Sequence, residues 1–307
     1  MKALKKITFY TTMGLSAFVL VAYMYLYKLP KGPDLTELEP LQNGTSRFVI
    51  NAYQDSVRKT IRIWTHRPQR WFDGDRILFV MHGAGRNADD YLNAWIEFAE
   101  ETNTLLVVPE FESPFSRVIT NDYAEGNLFT YFGSRNPKAE WAFAVIENAF
   151  DHITEQNDLS NDSYDIFGHS AGAQFVHRMI LLEPEARIRQ AIAANAGAYT
   201  FPNPEIEFPY GIKNVSLDED SLRSSLRKKL LILLGELDNT ADQGILDLSA
   251  AAMEQGPHRL ARGSNFFAES ETFANRNGLE FNWEFAMVKG VGHNFREMSK
   301  HAAAYLR

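Results

Sequence analysis

The feature that most constrains the fold of this chain is a regular alternation of short apolar runs with segments of helical spacing. Short, continuously apolar runs are typical of strands covered on both faces, as in a parallel sheet. The predicted strands lie at residues 76–81, 104–108, 163–167, 189–194, 229–234 and 281–288, and the predicted helices at 88–102, 138–157, 171–182, 246–255, 264–276 and 295–306. This order predicts an α/β fold with a mostly parallel central sheet and helices on both faces.

Two segments ahead of this pattern alternate apolar and polar residues instead. Residues 47–53 and 57–65 therefore predict a pair of half-exposed antiparallel strands joined by a short turn. Two later stretches, 110–137 and 199–221, carry many aromatic residues among Gly, Pro and Asn and predict long functional loops. From these loops and the nearby Trp141 we expect a substrate-binding surface that includes Trp141, Tyr199, Phe201 and Phe208.

The N-terminus carries an uncharged, mainly apolar stretch at residues 7–27, about the length of a bilayer-spanning helix. Three lysines precede it, and two lysines and then acidic residues follow it, so positive charge is modestly biased to the N-terminal side. This bias favours a cytoplasmic N-terminus and a domain on the periplasmic or extracellular side. We predict a single-pass membrane anchor at 1–28, a linker at 29–45 and one domain at 46–307. A cleaved signal sequence and a buried helix are the alternatives.

Composition excludes several classes of function. The 307-residue chain contains no cysteine, so disulfides, thiolate metal sites and cysteine nucleophiles are ruled out. Its net charge of −8 does not fit a nucleic-acid partner. No zinc-protease helix motif and no glycine-rich nucleotide-binding motif occurs, so we expect neither a metal nor a cofactor.

The strongest chemical signal is the sequence Gly-His-Ser-Ala-Gly at 168–172, between a predicted strand and a predicted helix. A sharp strand-to-helix turn can hold one hydroxyl exposed at its tip, and glycines on either side relieve the crowding. The helix N-terminus also places backbone N–H groups where negative charge develops. The pattern predicts Ser170 as a nucleophile and the N–H of Ala171 as an oxyanion donor.

The N–H of Ala84, with Gly85 as the alternative, is the other predicted donor, because a Gly-rich turn ends the first strand of the parallel sheet. We expect His82 in that turn to be structural.

The acid and the base follow later in the chain. Asp238 lies in the loop after the strand at 229–234, and Glu236 and Asp242 are alternatives. Three histidines come after it: His258, His293 and His301. Only His293 follows a predicted strand and lies among glycines that can aim the ring. The sequence therefore predicts a triad of Ser170, Asp238 and His293, in which the imidazole takes the serine proton.

With these motifs the chain resembles the α/β-hydrolase superfamily over about residues 75–300. The segments HGAGRNADDY, GHSAG, AANAGAYTFP, LLGELDN and GVGHNF are similar to those of polyhydroxybutyrate-depolymerase-like and feruloyl-esterase-like esterases. The resemblance implies the same triad and oxyanion donors. Together with the N-terminal apolar stretch, these motifs predict a membrane-anchored serine hydrolase that cleaves a small or oligomeric carboxylic ester through an acyl-enzyme. Two alternatives stay open: a peptidase, amidase, thioesterase or acyltransferase on the same triad, and a non-catalytic binding module on this scaffold.

Overall fold

The predicted alternation of strands and helices produces one central sheet in the computed structural model. The structure describes residues 2–27, 32–36, 40–54, 56–112, 123–130, 133–215 and 217–307. Within these ranges eight strands pair in the order β1-β2-β4-β3-β5-β6-β7-β8. They are β1 (Gly44–Tyr53), β2 (Ser56–Arg67), β3 (Ile77–Met81), β4 (Leu105–Glu110), β5 (Tyr164–His169), β6 (Ile188–Ala194), β7 (Leu230–Gly235) and β8 (Trp283–Val288). The strand β1 pairs antiparallel with β2, as the two alternating segments predict. The strand β2 also pairs antiparallel with β4, and all the other pairs are parallel.

Helices cover both faces of this sheet. The α-helices are α1 (Lys2–Tyr27), α2 (Ala88–Thr102), α3 (Ala142–Gln156), α4 (Ala171–Leu182), α5 (Glu219–Arg227), α6 (Ala250–Glu254), α7 (Arg259–Arg276) and α8 (Phe295–Ala302), and short 3-10 helices occupy Lys138–Glu140 and Ala303–Leu306. Side chains of β3 alternate between the two layers, because successive residues of a strand face opposite sides. Phe79 packs with α3 and α4 on one face, whereas Val80 packs with α2 and α8 on the other.

The parallel strands all end at the same edge of the sheet, and this edge collects the loops that carry the predicted site. The loop after β3, the turn after β5, the loop after β7 and the loop after β8 meet there. In open α/β sheets ligands bind outside the carboxyl ends of the strands. The topology therefore brings together residues that are more than two hundred positions apart in sequence.

The predicted transmembrane helix is not supported. The N-terminal segment is helical, but in the described ranges of the chain no helix combines the length and the apolar character that a bilayer crossing requires. Threonine, serine and tyrosine side chains are interspersed along this helix and lower its apolar character. The prediction that the domain lies outside the cytoplasm is not tested by this finding and stays a prediction. Part of the predicted linker, residues 29–31 and 37–39, lies outside the described residues, and β1 already begins at Gly44.

Candidate active site

Ser170 lies at the tip of a tight turn between β5 and α4, in the left-handed backbone region with φ of 58°. A non-glycine residue rarely adopts this conformation, so the surrounding structure must hold it. The Ser170 N–H donates to the Ala194 carbonyl at 3.0 Å, which ties the turn to β6. A Cβ on Gly168 would collide with the Gly172 carbonyl, and one on Gly172 would collide with the Met81 carbonyl. The glycines on either side of the serine are therefore required by backbone contacts.

The structure brings Ser170, His293 and Asp238 into one hydrogen-bonded chain. The distance from His293 Nε2 to Ser170 Oγ is 3.1 Å, and the distance from His293 Nδ1 to Asp238 Oδ2 is 2.7 Å. The Asp238 side chain is fully buried, whereas the His293 side chain stays 14% exposed. An ionised carboxylate accepts hydrogen bonds only, so Nδ1 carries the proton and Nε2 is free to accept from the serine hydroxyl. The neighbouring groups therefore select the tautomer that a general base needs.

The alternative acids and bases occupy other positions. Glu236 accepts a hydrogen bond from the Gly290 N–H, and Asp242 accepts one from the Thr240 hydroxyl. His258 is the N-cap of α7, where its Nδ1 accepts from the Ala261 N–H at 3.1 Å. His301 is exposed on α8. Among the candidates that the sequence left open, the structure thus joins only Asp238 and His293 to the serine.

The loop that carries His293 is fastened to the loop that carries Asp238. The Gln243 side-chain oxygen accepts from the His293 N–H at 2.9 Å, and the Gln243 side-chain amide donates to the Leu237 carbonyl. Gly292 allows this approach, because a Cβ there would lie 2.6 Å from the Gln243 oxygen. One side chain therefore fixes the separation between the base and the acid. Sequence reasoning missed Gln243, which stands in a polar loop with no distinguishing pattern.

A buried arginine supports the acid from the side opposite the base. Arg259 is fully buried, and its Nη1 lies 3.5 Å from Asp238 Oδ1. The same guanidinium donates to the carbonyls of Gln243 at 2.7 Å and Ile245 at 2.6 Å. Burying a charge is costly unless it is paired, so this cation stabilises the buried carboxylate and holds the loop around it. Sequence reasoning missed Arg259 as well, because a charged residue is expected on the surface.

The predicted oxyanion loop lies against the nucleophile. A Cβ on Gly83 would stand 3.6 Å from Ser170 Cβ, so the backbone just ahead of Ala84 packs on the serine. Ala84 is exposed, and Ala171 is the first residue of α4, where a backbone N–H has no partner within the helix. Arg86 in the same loop also has a positive φ, of 57°. The backbone segments that carry the two predicted donors thus lie next to Ser170, and the role of the donors in catalysis is part of the proposal below.

His82 anchors the base of this loop. Its ring is fully buried, its Nδ1 is 2.9 Å from the Gly83 carbonyl, and its Nε2 accepts from the Phe111 N–H at 3.1 Å. Burial lowers the pKa of His82 to about 4, and the hydrogen bond to Gly83 only partly opposes this. The ring is therefore neutral near pH 7, with its proton on Nδ1, which is the structural role that the sequence predicts.

The predicted substrate-binding aromatics are mostly core residues. Trp141 is 1% exposed, and its indole N–H donates to the Asn136 carbonyl at 3.0 Å. Tyr199 is fully buried and stacks on Phe266, and Phe201 packs on the same ring. Phe208 is half-buried beside the guanidinium of Arg178. The structure thus places Trp141 and Tyr199 in positions closed to solvent, because large aromatic side chains gain most from burial in the core. Of the loop aromatics, Phe115, Tyr131 and Phe132 lie outside the described residues.

Two further residues that the sequence did not single out flank the triad. The ring of His169 lies 4.6 Å from the ring of His293, and its Nδ1 is hydrogen-bonded to the Tyr91 hydroxyl at 3.0 Å. Burial, together with the nearby His293 and Arg259, holds the pKa of His169 well below its usual value. This second histidine is therefore uncharged beside the ring of His293. In the part of the chain that the structure describes, no group of three or more His, Asp or Glu side chains is arranged to hold a metal ion.

Two solved structures share both the fold and a substantial part of the sequence. A poly(aspartic acid) hydrolase-1 from Sphingomonas sp. KT-1 is 37% identical, with a TM-score of 0.82, over 86% of this chain and 98% of that chain. LpqC, a poly(3-hydroxybutyrate) depolymerase from Bordetella parapertussis, is 31% identical, also with a TM-score of 0.82, over 86% of this chain and 89% of that chain.

A more distant structure shows the same fold. An S-formylglutathione hydrolase from Agrobacterium tumefaciens is 14% identical with a TM-score of 0.54, over 89% of this chain and 97% of that chain. No protein-family model matches the sequence, and no curated protein matches it either.

Proposed function

The chain belongs to the α/β-hydrolase superfamily of esterases and is a serine hydrolase, and from this premise we propose that it cleaves a carboxylic ester. The proposed catalytic residues are Ser170, His293 and Asp238, and the proposed oxyanion donors are the N–H groups of Ala84 and Ala171. The observation that carries the proposal is the continuous chain of 3.1 Å and 2.7 Å contacts from the serine hydroxyl to the buried carboxylate.

Acylation follows from this geometry. His293 Nε2 removes the hydroxyl proton as Ser170 Oγ attacks the carbonyl carbon of the ester, and Asp238 stabilises the imidazolium that forms. The carbonyl oxygen becomes an oxyanion that the two backbone N–H groups stabilise. When the tetrahedral intermediate collapses, the bond to the alcohol oxygen breaks. His293 gives its proton to that oxygen, and the alcohol leaves the acyl-enzyme.

Deacylation repeats the same proton transfers with water. His293 takes a proton from a water molecule as the water oxygen attacks the acyl carbon, and the intermediate collapses when His293 returns the proton to Ser170 Oγ. The carboxylic acid product then leaves. No group other than these residues and water is required for the balance of atoms and protons.

The proposal is tested by replacing the nucleophile. Ser170→Ala should lower kcat/KM for p-nitrophenyl esters by at least about 10³-fold, because the covalent route is lost and only binding and oxyanion stabilisation remain. Ser264→Ala, which removes a hydroxyl bonded within α7, is the matched control and should keep full activity. Ester hydrolysis that persists in purified Ser170→Ala at the wild-type rate would overturn the proposal.

A second candidate is amide hydrolysis, and the 37% identical poly(aspartic acid) hydrolase favours it. The units of such a polymer are joined by amide bonds, and the same triad can supply the proton that an amine leaving group needs. The two candidates separate in a comparison of kcat/KM for matched p-nitrophenyl esters, p-nitroanilides and poly(aspartic acid). A higher kcat/KM for poly(aspartic acid) than for the best ester would favour the amide.

We also propose that the enzyme works outside the cytoplasm; the support is the apolar stretch at residues 7–27 with lysines ahead of it, which is the pattern of an export signal sequence. Fractionation of cells that express the full chain, with cytoplasmic and periplasmic marker enzymes, measures this directly. Recovery with the cytoplasmic marker alone would contradict the proposal.

A further inference from the structure

Tyr91 occupies the gap between the two backbone segments that would supply the oxyanion donors. It lies in the first turn of α2, directly after the loop that carries Ala84, and it is 3% exposed. Its hydroxyl is hydrogen-bonded to His169 Nδ1, in the residue just ahead of Ser170, at 3.0 Å. On the other side the hydroxyl lies against Gly83, where an added Cβ would be only 2.8 Å away.

The Tyr91 ring is held firmly enough to act as a spacer. It stacks on Phe295 with the ring centres 4.3 Å apart and the planes 14° from parallel. Phe295 begins α8, directly after the loop that carries His293. Burial raises the pKa of the Tyr91 hydroxyl, and the nearby Gly83 N–H only partly opposes the rise, so the group stays protonated at working pH. A neutral hydroxyl therefore stands between the loop and the serine turn in all conditions in which the triad works.

From this placement we propose that Tyr91 is a positioning residue that sets the spacing between the N–H of Ala84 and the N–H of Ala171. The inference rests on the proposed function, because it concerns the oxyanion site of that reaction. The side-chain hydrogen bond of the Tyr91 hydroxyl goes to His169, the residue before Ser170. The hydroxyl lies between Gly83, which precedes the Ala84 donor, and His169, which lies two positions before the Ala171 donor.

The consequence for catalysis is specific. Oxyanion donors act on the charge that develops in the transition state, so a change in their spacing alters the chemical step more than substrate binding. Complete loss of one such donor costs on the order of 10² to 10³ in kcat, and a displaced donor is expected to cost less. Tyr91→Phe should therefore lower kcat by about tenfold and change KM by less than about twofold.

The control is a second buried tyrosine, at the start of β5, the strand that ends at His169. Tyr164 is 1% exposed, and its hydroxyl donates to Glu147 at the opposite end of β5 from Ser170. Tyr164→Phe removes the same hydroxyl group from an equally buried position, so the two variants should show similar losses of thermal stability. Only Tyr91→Phe should lower kcat.

The affinity for a tetrahedral adduct separates positioning from a general loss of structure. Phenylboronic acid forms such an adduct with an active serine, so its inhibition constant should rise by about the same factor by which kcat/KM falls in Tyr91→Phe. An unchanged inhibition constant, or a kcat equal to that of Tyr164→Phe, would overturn the inference. The proposed function would survive either result as long as Ser170→Ala stays inactive, so the two failures can be told apart.

A double-mutant cycle gives a second, independent test. Gly83→Ala places a methyl group 2.8 Å from the Tyr91 hydroxyl and should displace the loop, whereas the next contact, with Ser170 Cβ, is an ordinary 3.6 Å. In a Tyr91→Phe background the obstructing oxygen is gone, so adding Gly83→Ala should cost much less kcat than it does in the wild type. Additive losses of kcat would show that the hydroxyl does not set the position of this loop.

Discussion

Acidification should destabilise this protein through His82, and the size of the effect can be worked out from its surroundings. His82 is fully buried, its Nε2 accepts from the Phe111 N–H, and its pKa falls from 6.5 to about 4, mainly because of burial. Protonation would replace the acceptor at Nε2 with a second donor that faces the Phe111 N–H. The folded state therefore disfavours the imidazolium, while the unfolded chain accepts the proton at its ordinary pKa.

The sign and the window follow from linkage. Between pH 6.5 and about 4 the unfolded chain binds more protons than the folded protein, so the free energy of unfolding falls as pH falls across this window. One pKa unit is worth about 1.4 kcal/mol, so His82 alone should remove about 3 kcal/mol between pH 7 and pH 4. Burial also holds the pKa values of His169 and His177 well below the ordinary value, so both act in the same direction.

The contribution of His82 is isolated by a variant that cannot titrate. Gln places an amide near the position of Nε2, so His82→Gln should lose about 3 kcal/mol less free energy of unfolding than the wild type between pH 7 and pH 4. Urea unfolding followed by fluorescence at four pH values in this range measures the difference, and His301→Gln, on the exposed side of α8, is the control. Identical pH dependence in wild type and His82→Gln would refute the reasoning.

Two further predictions concern the acid and its support. Asp238→Asn should lower kcat by about 10⁴-fold while Ser170 stays in place, because an amide at 2.7 Å from Nδ1 favours the wrong tautomer of His293. Steady-state ester hydrolysis measures this loss, and a loss below tenfold would contradict the prediction. Arg259→Gln should destabilise the fold by about 3 kcal/mol, because the buried Asp238 carboxylate loses its cation. It should also lower kcat by about 10²-fold, because the loop loses the hydrogen bonds from Arg259 to two of its carbonyls. Thermal unfolding and ester kinetics measure both effects, and an unchanged kcat would show that Arg259 acts on stability alone.

Sequence patterns predicted the strands and helices well wherever buried residues recur at the regular spacing of a strand or a helix. The helices α2 and α4 begin and end where their apolar spacing does, and all the predicted strands are present. The helix α7 begins at Arg259, five residues before its predicted start, because His258 caps it and because its first turn carries buried charges. A prediction from periodicity assumes that charged residues are exposed, so it missed the first turn of α7, in which Arg259 and Arg262 are buried. The short helix α5 begins after an Asp218 N-cap, within the end of the stretch predicted as a loop at 199–221.

The candidate site could be predicted where it depends on the ends of strands and on residue chemistry. Ser170, Asp238 and His293 each follow a parallel strand, and strand ends meet at one edge of the sheet. Supporting residues such as Tyr91 and Gln243 act through tertiary contacts with distant loops, which leave no local pattern in the sequence. The predicted aromatic pocket rested on residue type alone, and residue type does not distinguish a ring that packs in the core, such as Trp141, from one that faces a ligand.

The most direct test of the central claim is to find where a fluorophosphonate attaches. The reagent phosphonylates a serine hydroxyl that a neighbouring base activates, so treatment of the purified protein followed by peptide mapping locates the nucleophile. The triad geometry predicts one adduct, on Ser170, with ester hydrolysis lost in proportion to labelling and no adduct in Ser170→Ala. Full labelling at another residue, or ester hydrolysis that survives complete modification of Ser170, would contradict the account.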